Sequence, residues 1–301
     1  MGNGYAIKSD NFKSWFMDKL LMGMSWQEYA TTLLTPFNVI AAIILAVGLP
    51  LIVMRYIDGL YLVTHASDDY PWGLYLGWGL FGGVPLSATG FVIGTAYYIF
   101  GFKNYRPIVR LAILTGLLGY FFAVTYLLVD LGRPWRLYYP MIISFGTTSV
   151  LFLVAWHVSL YLTVQFFEFS PALLEWLKSR RVWKWAEMLT IGMTIAGIVL
   201  STLHQSALGA MYLLSPGKLH PLWYSTYIPW LFLCSAIYVA FAMVIFVSTL
   251  AVRFLSDRAD ETFLGSIDRI TLSLGKAACV GMYVYFVLKL IGIAHDDNWG
   301  L

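Results

Sequence analysis

Seven runs of about 20 or more mostly apolar residues dominate this 301-residue chain, at 33–54, 71–100, 109–130, 139–167, 185–214, 224–252 and 270–293. Each is long enough to cross a bilayer. In hydrocarbon, backbone N–H and C=O groups find partners only within a helix or a closed barrel, and uninterrupted apolar runs of this length specify helices. The expected fold is therefore an all-α polytopic membrane bundle. Only 12% of the residues are charged and 59% are hydrophobic, whereas soluble domains carry about 25% charge. A cytosolic enzyme, a disordered tail and a nucleic-acid binder are excluded on that ground. Residues 1–32 mix Lys8, Asp10, Lys13, Asp18, Lys19 and Glu28 with Phe12, Trp15, Phe16, Leu20, Leu21 and Trp26. That pattern lacks the compact apolar core of a signal peptide and suits an amphipathic helix lying on the membrane face. Residues 33–301 then form the integral domain.

Lys and Arg set the orientation. The N-terminus and the second, fourth and sixth connections hold 13 of them, against four on the other side: Arg55, Arg133, Arg136 and Lys218. By the positive-inside rule the N-terminus is cytoplasmic. The only cysteines, Cys234 and Cys279, lie in apolar stretches with no CxxC spacing, which removes disulfide scaffolds, iron–sulfur ligation and covalent haem attachment.

Polar groups at depth carry the functional reading. Thr190, Thr194, Gly197, Ser201 and His204 follow steps of four, three, four and three, one helical face that must meet protein or a cavity. Gln205 and Ser206 extend it. His204 lies ten residues below Leu214 and Tyr120 ten below Asp130, so both rings sit about 15 Å from the outer ends of their spans. Gly79 and Gly83, spaced to expose a helix backbone, and Thr147, Thr148 and Ser149 fall in a similar layer. A His, a Tyr and hydroxyls in an apolar setting can hydrogen-bond a carbonyl and exchange its protons, which suits a quinone head group. Asp130, beside Arg133 and Arg136, is either locked in an ion pair or relays protons between that pocket and water. Haem competes as cofactor through His157 and His204. Counted from Tyr139, however, His157 is about 27 Å deep, too far from His204 to share one iron.

These residues sit in strings that resemble the NrfD/polysulfide-reductase superfamily of membrane subunits, in its HybB-like branch of hydrogenase and high-molecular-weight cytochrome complexes. The strings are Pro71-Trp72-Gly73, Tyr105-Arg106-Pro107, Leu118-Gly119-Tyr120, Asp130-Leu131-Gly132-Arg133-Pro134-Trp135, Phe167-Glu168-Phe169-Ser170-Pro171, Leu203-His204-Gln205-Ser206-Ala207-Leu208-Gly209 and Lys218-Leu219-His220-Pro221-Leu222-Trp223. The resemblance implies an NrfD-like four-helix bundle from the second to the fifth span and an incomplete second bundle. It implies a subunit of the bacterial or archaeal cytoplasmic membrane, without haem or iron–sulfur cluster of its own, that binds menaquinone near the outer face. Tyr120 and His204 match quinone-pocket positions, with Asp130 as a third reactive group and Gln205, Ser201, Gly83 and Thr148 around them. Electrons would pass to a ferredoxin-like iron–sulfur subunit on the outer face, with a multihaem cytochrome c and further membrane subunits as additional partners and lipid around the spans. Acidic residues found in some relatives are replaced here by Leu153 and Gly79, and relatives continue for one to three more spans.

Independently of family, a chain with no redox-metal motif needs a partner's cluster or haem to move electrons onward. The outer loops around 55–70, 130–138 and 215–223 are the expected docking surface. Two other classes stay open. Gly-interrupted helices, Pro85 within a span and Asp130, Lys276 and Glu187 near membrane ends suit an ion or proton transporter. A passive anchor for a redox partner needs none of the polar groups.

Overall fold

A computed structural model describes residues 15, 20–21, 23–70, 74–176 and 180–301. Most of the N-terminal amphipathic stretch, including Lys8, Lys13 and Lys19, lies outside the described residues, as do Pro71-Trp72-Gly73 and Lys178. Two compact units result, Met1–Pro71 and Trp72–Leu301.

In the first unit, helix α1 (Trp26–Leu33) opens on a capping box in which Ser25 and Glu28 bond each other's backbone N–H. The Ser25 backbone donor, then its hydroxyl, hold the Glu28 carboxyl below its ordinary value. Helix α2 (Pro36–Asp58) starts at a Thr35 cap with Pro at its first position, where a missing N–H costs nothing. It ends at Gly59, whose φ of +103° an L side chain rarely adopts. No part of its apolar window is buried.

The second unit holds six more long helices: α3 (Leu74–Ile99), α4 (Arg106–Asp130), α5 (Val150–Trp176), α6 (Arg180–Met211), α7 (Ile228–Leu255) and α8 (Glu261–His295). With α2, seven helices among the described residues are long and apolar enough to cross a membrane, and the protein is a multi-pass, all-α membrane protein. Helices α3 to α6 form a four-helix bundle, α7 packs on α3, α4 and α6, and α8 packs mainly on α7 while also meeting α4. An exposed Arg110–Glu175 ion pair of 2.6 Å ties the start of α4 to the end of α5.

Helix α3 is not regular. Wide π-type turns at Gly77–Gly82 and Thr95–Ile99 flank a middle broken after Pro85, at Ser87 and Ala88. Proline supplies no N–H to the ladder, and glycines tolerate the altered pitch. The bare face lets α4 approach closely. A Cβ on Gly119 would lie 1.7 Å from the Ser87 hydroxyl oxygen, and one on Gly79 would lie 2.6 Å from the Tyr126 ring.

The fourth span departs from its expected bounds of 139–167. Tyr139–Ile142 makes a single turn, the chain then leaves the helix, and α5 begins only at Val150 and runs to Trp176. Gly146 and the short polar residues after it favour a turn, and Ser149 caps the new helix by accepting the Phe152 N–H at 3.4 Å. Thr148 consequently sits exposed in that turn, not at the depth of Tyr120.

Candidate functional site

Helical spacing explains how the polar groups meet. On α6, Thr190, Thr194, Ser201, His204 and Gln205 are all buried, as the stripe predicts. On α5, His157, Tyr161, Gln165 and Glu168 follow steps of four, four and three and are buried as well. Tyr120 arrives from α4, so three helices converge on one polar seam inside an apolar cluster.

Tyr120 and His204 are both fully buried, and the Tyr120 hydroxyl lies 2.5 Å from His204 Nε2. His204 Nδ1 lies 2.7 Å from the Leu200 carbonyl, which can only accept, so Nδ1 carries the proton and Nε2 receives the Tyr120 O–H. Gln205 Nε2 donates to the Tyr120 oxygen at 3.1 Å and to the Val84 carbonyl at 3.2 Å. Gly83, one residue before Val84, accepts from the Ser87 hydroxyl at 2.6 Å and is half-buried. Tyr161 stacks edge-on against Tyr120 at 4.6 Å between centroids and lies 5.2 Å from the His204 ring. The expected convergence of Tyr120, His204, Gln205 and Ser201 is therefore present.

Their expected frontage on a cleft is not. A cavity of about 640 Å³ opens at the end of the bundle carrying residues 131–149, and neither Tyr120 nor His204 lines it. Leu80, Val154, Val158 and Met211 form its inner wall and belong to the same packed cluster as Tyr120. The cavity is mostly apolar, with Val124 and Leu127 of α4 and Ala155 of α5, and it becomes polar at Asp130, Arg133, Arg136, Ser144 and Ser149. The Tyr75 hydroxyl donates to Asp130 Oδ1, and the Arg136 guanidinium stands 5.1 Å from the centre of the Tyr139 ring. Of the residues read from sequence, Asp130 reaches this cavity while Thr148 does not line it. Arg133, Arg136 and Tyr75 were not selected as site residues, nor were Tyr161, Gln165 and Glu168; the last three share the periodic spacing that exposed the α6 stripe.

The depth argument against haem also changes. With α5 starting at Val150, His157 lies seven residues in, and His204 lies seven residues from Met211; both are about 10 Å from those helix ends. Level no longer separates them. Chemistry does, because both His204 nitrogens are committed, to Tyr120 and to Leu200, and an iron ligand needs one of them free. The residues present do not fit a bis-His haem.

A relative from Nitratidesulfovibrio vulgaris, described only as "Protein", is 47% identical over 268 residues, which is 89% of this chain and 69% of the relative. The "Probable Ni/Fe-hydrogenase 2 b-type cytochrome subunit" of Escherichia coli is 32% identical over 83% of this chain and 63% of its own length. The "Menaquinone reductase, integral membrane subunit" of N. vulgaris is 30% identical over 50% of this chain and 37% of its own length. The chain thus spans less than two thirds of the latter two relatives. The family model "Polysulphide reductase, NrfD" matches residues 62–296, covering six of the seven crossings together with the buried seam and the cavity, and the chain belongs to the NrfD family.

Proposed function

We propose that this chain is the quinone-reactive membrane subunit of a respiratory oxidoreductase complex, and that it takes a menaquinone-type ring into the cavity ending at Asp130, Arg133 and Arg136. The observation that carries the reading is the cavity itself, about 640 Å³ of mostly apolar space closed by one carboxylate and two guanidinium groups. Its size and its few convergent polar groups suit a small-molecule site, and the menaquinone reductase subunit among its relatives points to the ligand class. A quinone bound there would supply the exchange of two electrons and two protons.

The chain's own residues have distinct tasks. Arg133 and Arg136 offer only donors, which suit a carbonyl oxygen and favour negative charge on it. Asp130, held by the Tyr75 hydroxyl, is the group in the cavity able to accept and release a proton. The apolar wall excludes water and orients the ring. Tyr120 and His204 stand behind that wall as a proton-holding pair, not as direct contacts. Electrons would cross to an iron–sulfur subunit seated on the loops around 130–138 and 215–223, where Trp135 and Trp223 are exposed. We place the protein in a bacterial or archaeal cytoplasmic membrane with its N-terminus inside and the cavity toward the outer face, a reading that the 13 to 4 distribution of Lys and Arg supports. The "b-type cytochrome" wording of one relative is not carried over, since the His204 nitrogens are occupied.

The test is equilibrium binding of menadione to the purified complex. Ala155→Trp fills the cavity without touching its charged end and should weaken binding at least tenfold; Asp130→Asn should weaken turnover more than binding. Unchanged binding in Ala155→Trp would sink the assignment, and normal quinone turnover in both variants would leave only the passive anchor.

A further inference from the structure

Another cavity, of about 760 Å³, lies at the opposite end of the bundle from the first, between the turn joining α3 to α4 and the early turns of α8. Its lining is basic. Lys103, Asn104 and Tyr105 come from the turn and Ser266, Arg269 and Ser273 from α8, with two cations and no carboxylate among the residues that line it. Gly101 turns the chain out of α3 at a φ of +70°, a backbone conformation that favours glycine, and Lys103 and Asn104 follow it along the groove. The base is packed. Ile270 is buried and Tyr105 rests against the same apolar cluster, and the Tyr105 hydroxyl lies 2.8 Å from Ser273 Oγ. One of those hydroxyls donates to the other, which leaves the second proton for a ligand. Neither Lys103 nor Arg269 forms an ion pair with a described residue. Asp268, though next to Arg269 in the chain, is exposed and does not line the cavity.

The same face of α8 continues into the apolar part of its span. Ser266, Arg269, Ser273 and Lys276 follow steps of three, four and three, and Val280, Tyr283 and Val287 extend them by four, three and four, which keeps all seven on one side of the helix. The character changes along that line. Arg269 and Lys276 are exposed at the polar end, and Val280, Tyr283 and Val287 are exposed beyond them. Lys276 stands about 10 Å along the helix from Arg269, near enough for its long side chain to reach back toward the same ligand. A free inorganic anion would meet the cations and leave the apolar stretch bare, whereas an amphiphile meets both. Cations without carboxylate partners oppose a choline or ethanolamine head, which brings a positive charge of its own, and favour a head whose only charge is a phosphodiester.

We propose that this groove binds an anionic glycerophospholipid, its phosphodiester held by Arg269 and Lys103 and one acyl chain lying along Val280, Tyr283 and Val287. Guanidinium and ammonium groups form strong, charge-assisted hydrogen bonds to phosphate oxygens, and basic pockets between spanning helices suit such head groups. The Asn104 amide and the free hydroxyl proton of the Tyr105–Ser273 pair add neutral donors. Because α8 packs mainly on α7, a lipid seated here also fastens the other flank of α8 to the start of α4. The site lies at the end of the bundle away from the quinone cavity and does not rest on that reading.

Native mass spectrometry of the purified complex, with dioleoyl-phosphatidylglycerol or dioleoyl-phosphatidylcholine added to the detergent solution, tests it. The wild type should bind phosphatidylglycerol at least tenfold more tightly than phosphatidylcholine. Arg269→Gln should weaken the phosphatidylglycerol adduct at least tenfold. Arg253→Gln removes an exposed charge from the same end of the molecule without altering the cavity lining, and should leave the adduct unchanged. Gly265→Glu puts a carboxylate into the cavity at a position with open space around it, and should weaken the adduct as strongly without deleting a native side chain. Equal affinity for the two lipids, or an unchanged adduct in both Arg269→Gln and Gly265→Glu, would overturn the proposal. Displacement of the lipid by an equimolar amount of inorganic phosphate would do the same, by assigning the cations to a soluble anion. Phosphatidylglycerol carrying a diazirine on its acyl chain should label peptides of α8; labelling confined to partner subunits would give that face to a protein contact and remove the lipid.

Discussion

The Tyr120 oxygen is donor to His204 and acceptor from Gln205, so deleting it strands two buried neighbours at once. Each unsatisfied group costs about 1–3 kcal/mol in protein interiors. Polar contacts between membrane helices average nearer 0.6 kcal/mol, because the unfolded chain finds other partners within the bilayer. The full burial of this pair favours the upper range, and Tyr120→Phe is expected to destabilise the folded subunit by about 2 kcal/mol. His204→Leu removes the other partner and should add less than its own cost, leaving a positive coupling in a double-mutant cycle read by reversible unfolding in detergent micelles. Strict additivity would mean that the two groups do not depend on each other. The meeting of Tyr120 and His204 was legible from residue counts because both lie on long regular helices, where each residue adds a fixed rise. The wall between them and the cavity was not, since Leu80, Val154, Val158 and Met211 come from three helices whose rotation about their own axes depends on packing.

Among the elements, α3 and α4 show how close packing replaces side-chain volume with backbone contact. Gly119 faces the Ser87 side chain so closely that a methyl group has no room, lying 1.7 Å from Oγ and 2.6 Å from Cβ. Gly119→Ala should therefore lower the melting temperature markedly. Ser87→Gly combined with Gly119→Ala moves the bulk across the same contact and should restore most of the loss. Failure of the pair to recover stability would show that this contact does not set the spacing of the two helices. The spacing of Gly79 and Gly83 was readable in the sequence as a face that exposes the helix backbone, and Ser87 lies one further step of four along it. The start of α5 was not, because residues 139–149 stay apolar enough to continue a span. The interruption comes instead from Gly146 and the Ser149 cap, local geometry that an apolar average conceals. That displacement carried Thr148 out of the expected layer and brought His157 level with His204, overturning the depth argument against haem while the occupied nitrogens of His204 supplied a different one.

For the whole molecule, the direction of insertion decides what the cavity and the Glu168 end of the seam each face. Helix alternation puts residues 212–227 at the same end as the cavity, and residues 256–260 at the other. The excess of Lys and Arg lies with the second group, and by the positive-inside rule the proposed orientation turns the cavity toward the outer face. Single cysteines can read this directly in a background of Cys234→Ala and Cys279→Ala, which removes both native thiols. Gly217→Cys and Ser256→Cys occupy exposed turns at opposite ends. A membrane-impermeant maleimide should label the first in intact cells that express this chain without its partner subunits, and the second only after the membrane is opened. The reverse pattern would turn the cavity toward the cytoplasm. It would also move the proposed docking site for an iron–sulfur subunit to that side and make Glu168 the end nearer the outside, so one labelling experiment fixes which face of the membrane each end of the bundle meets.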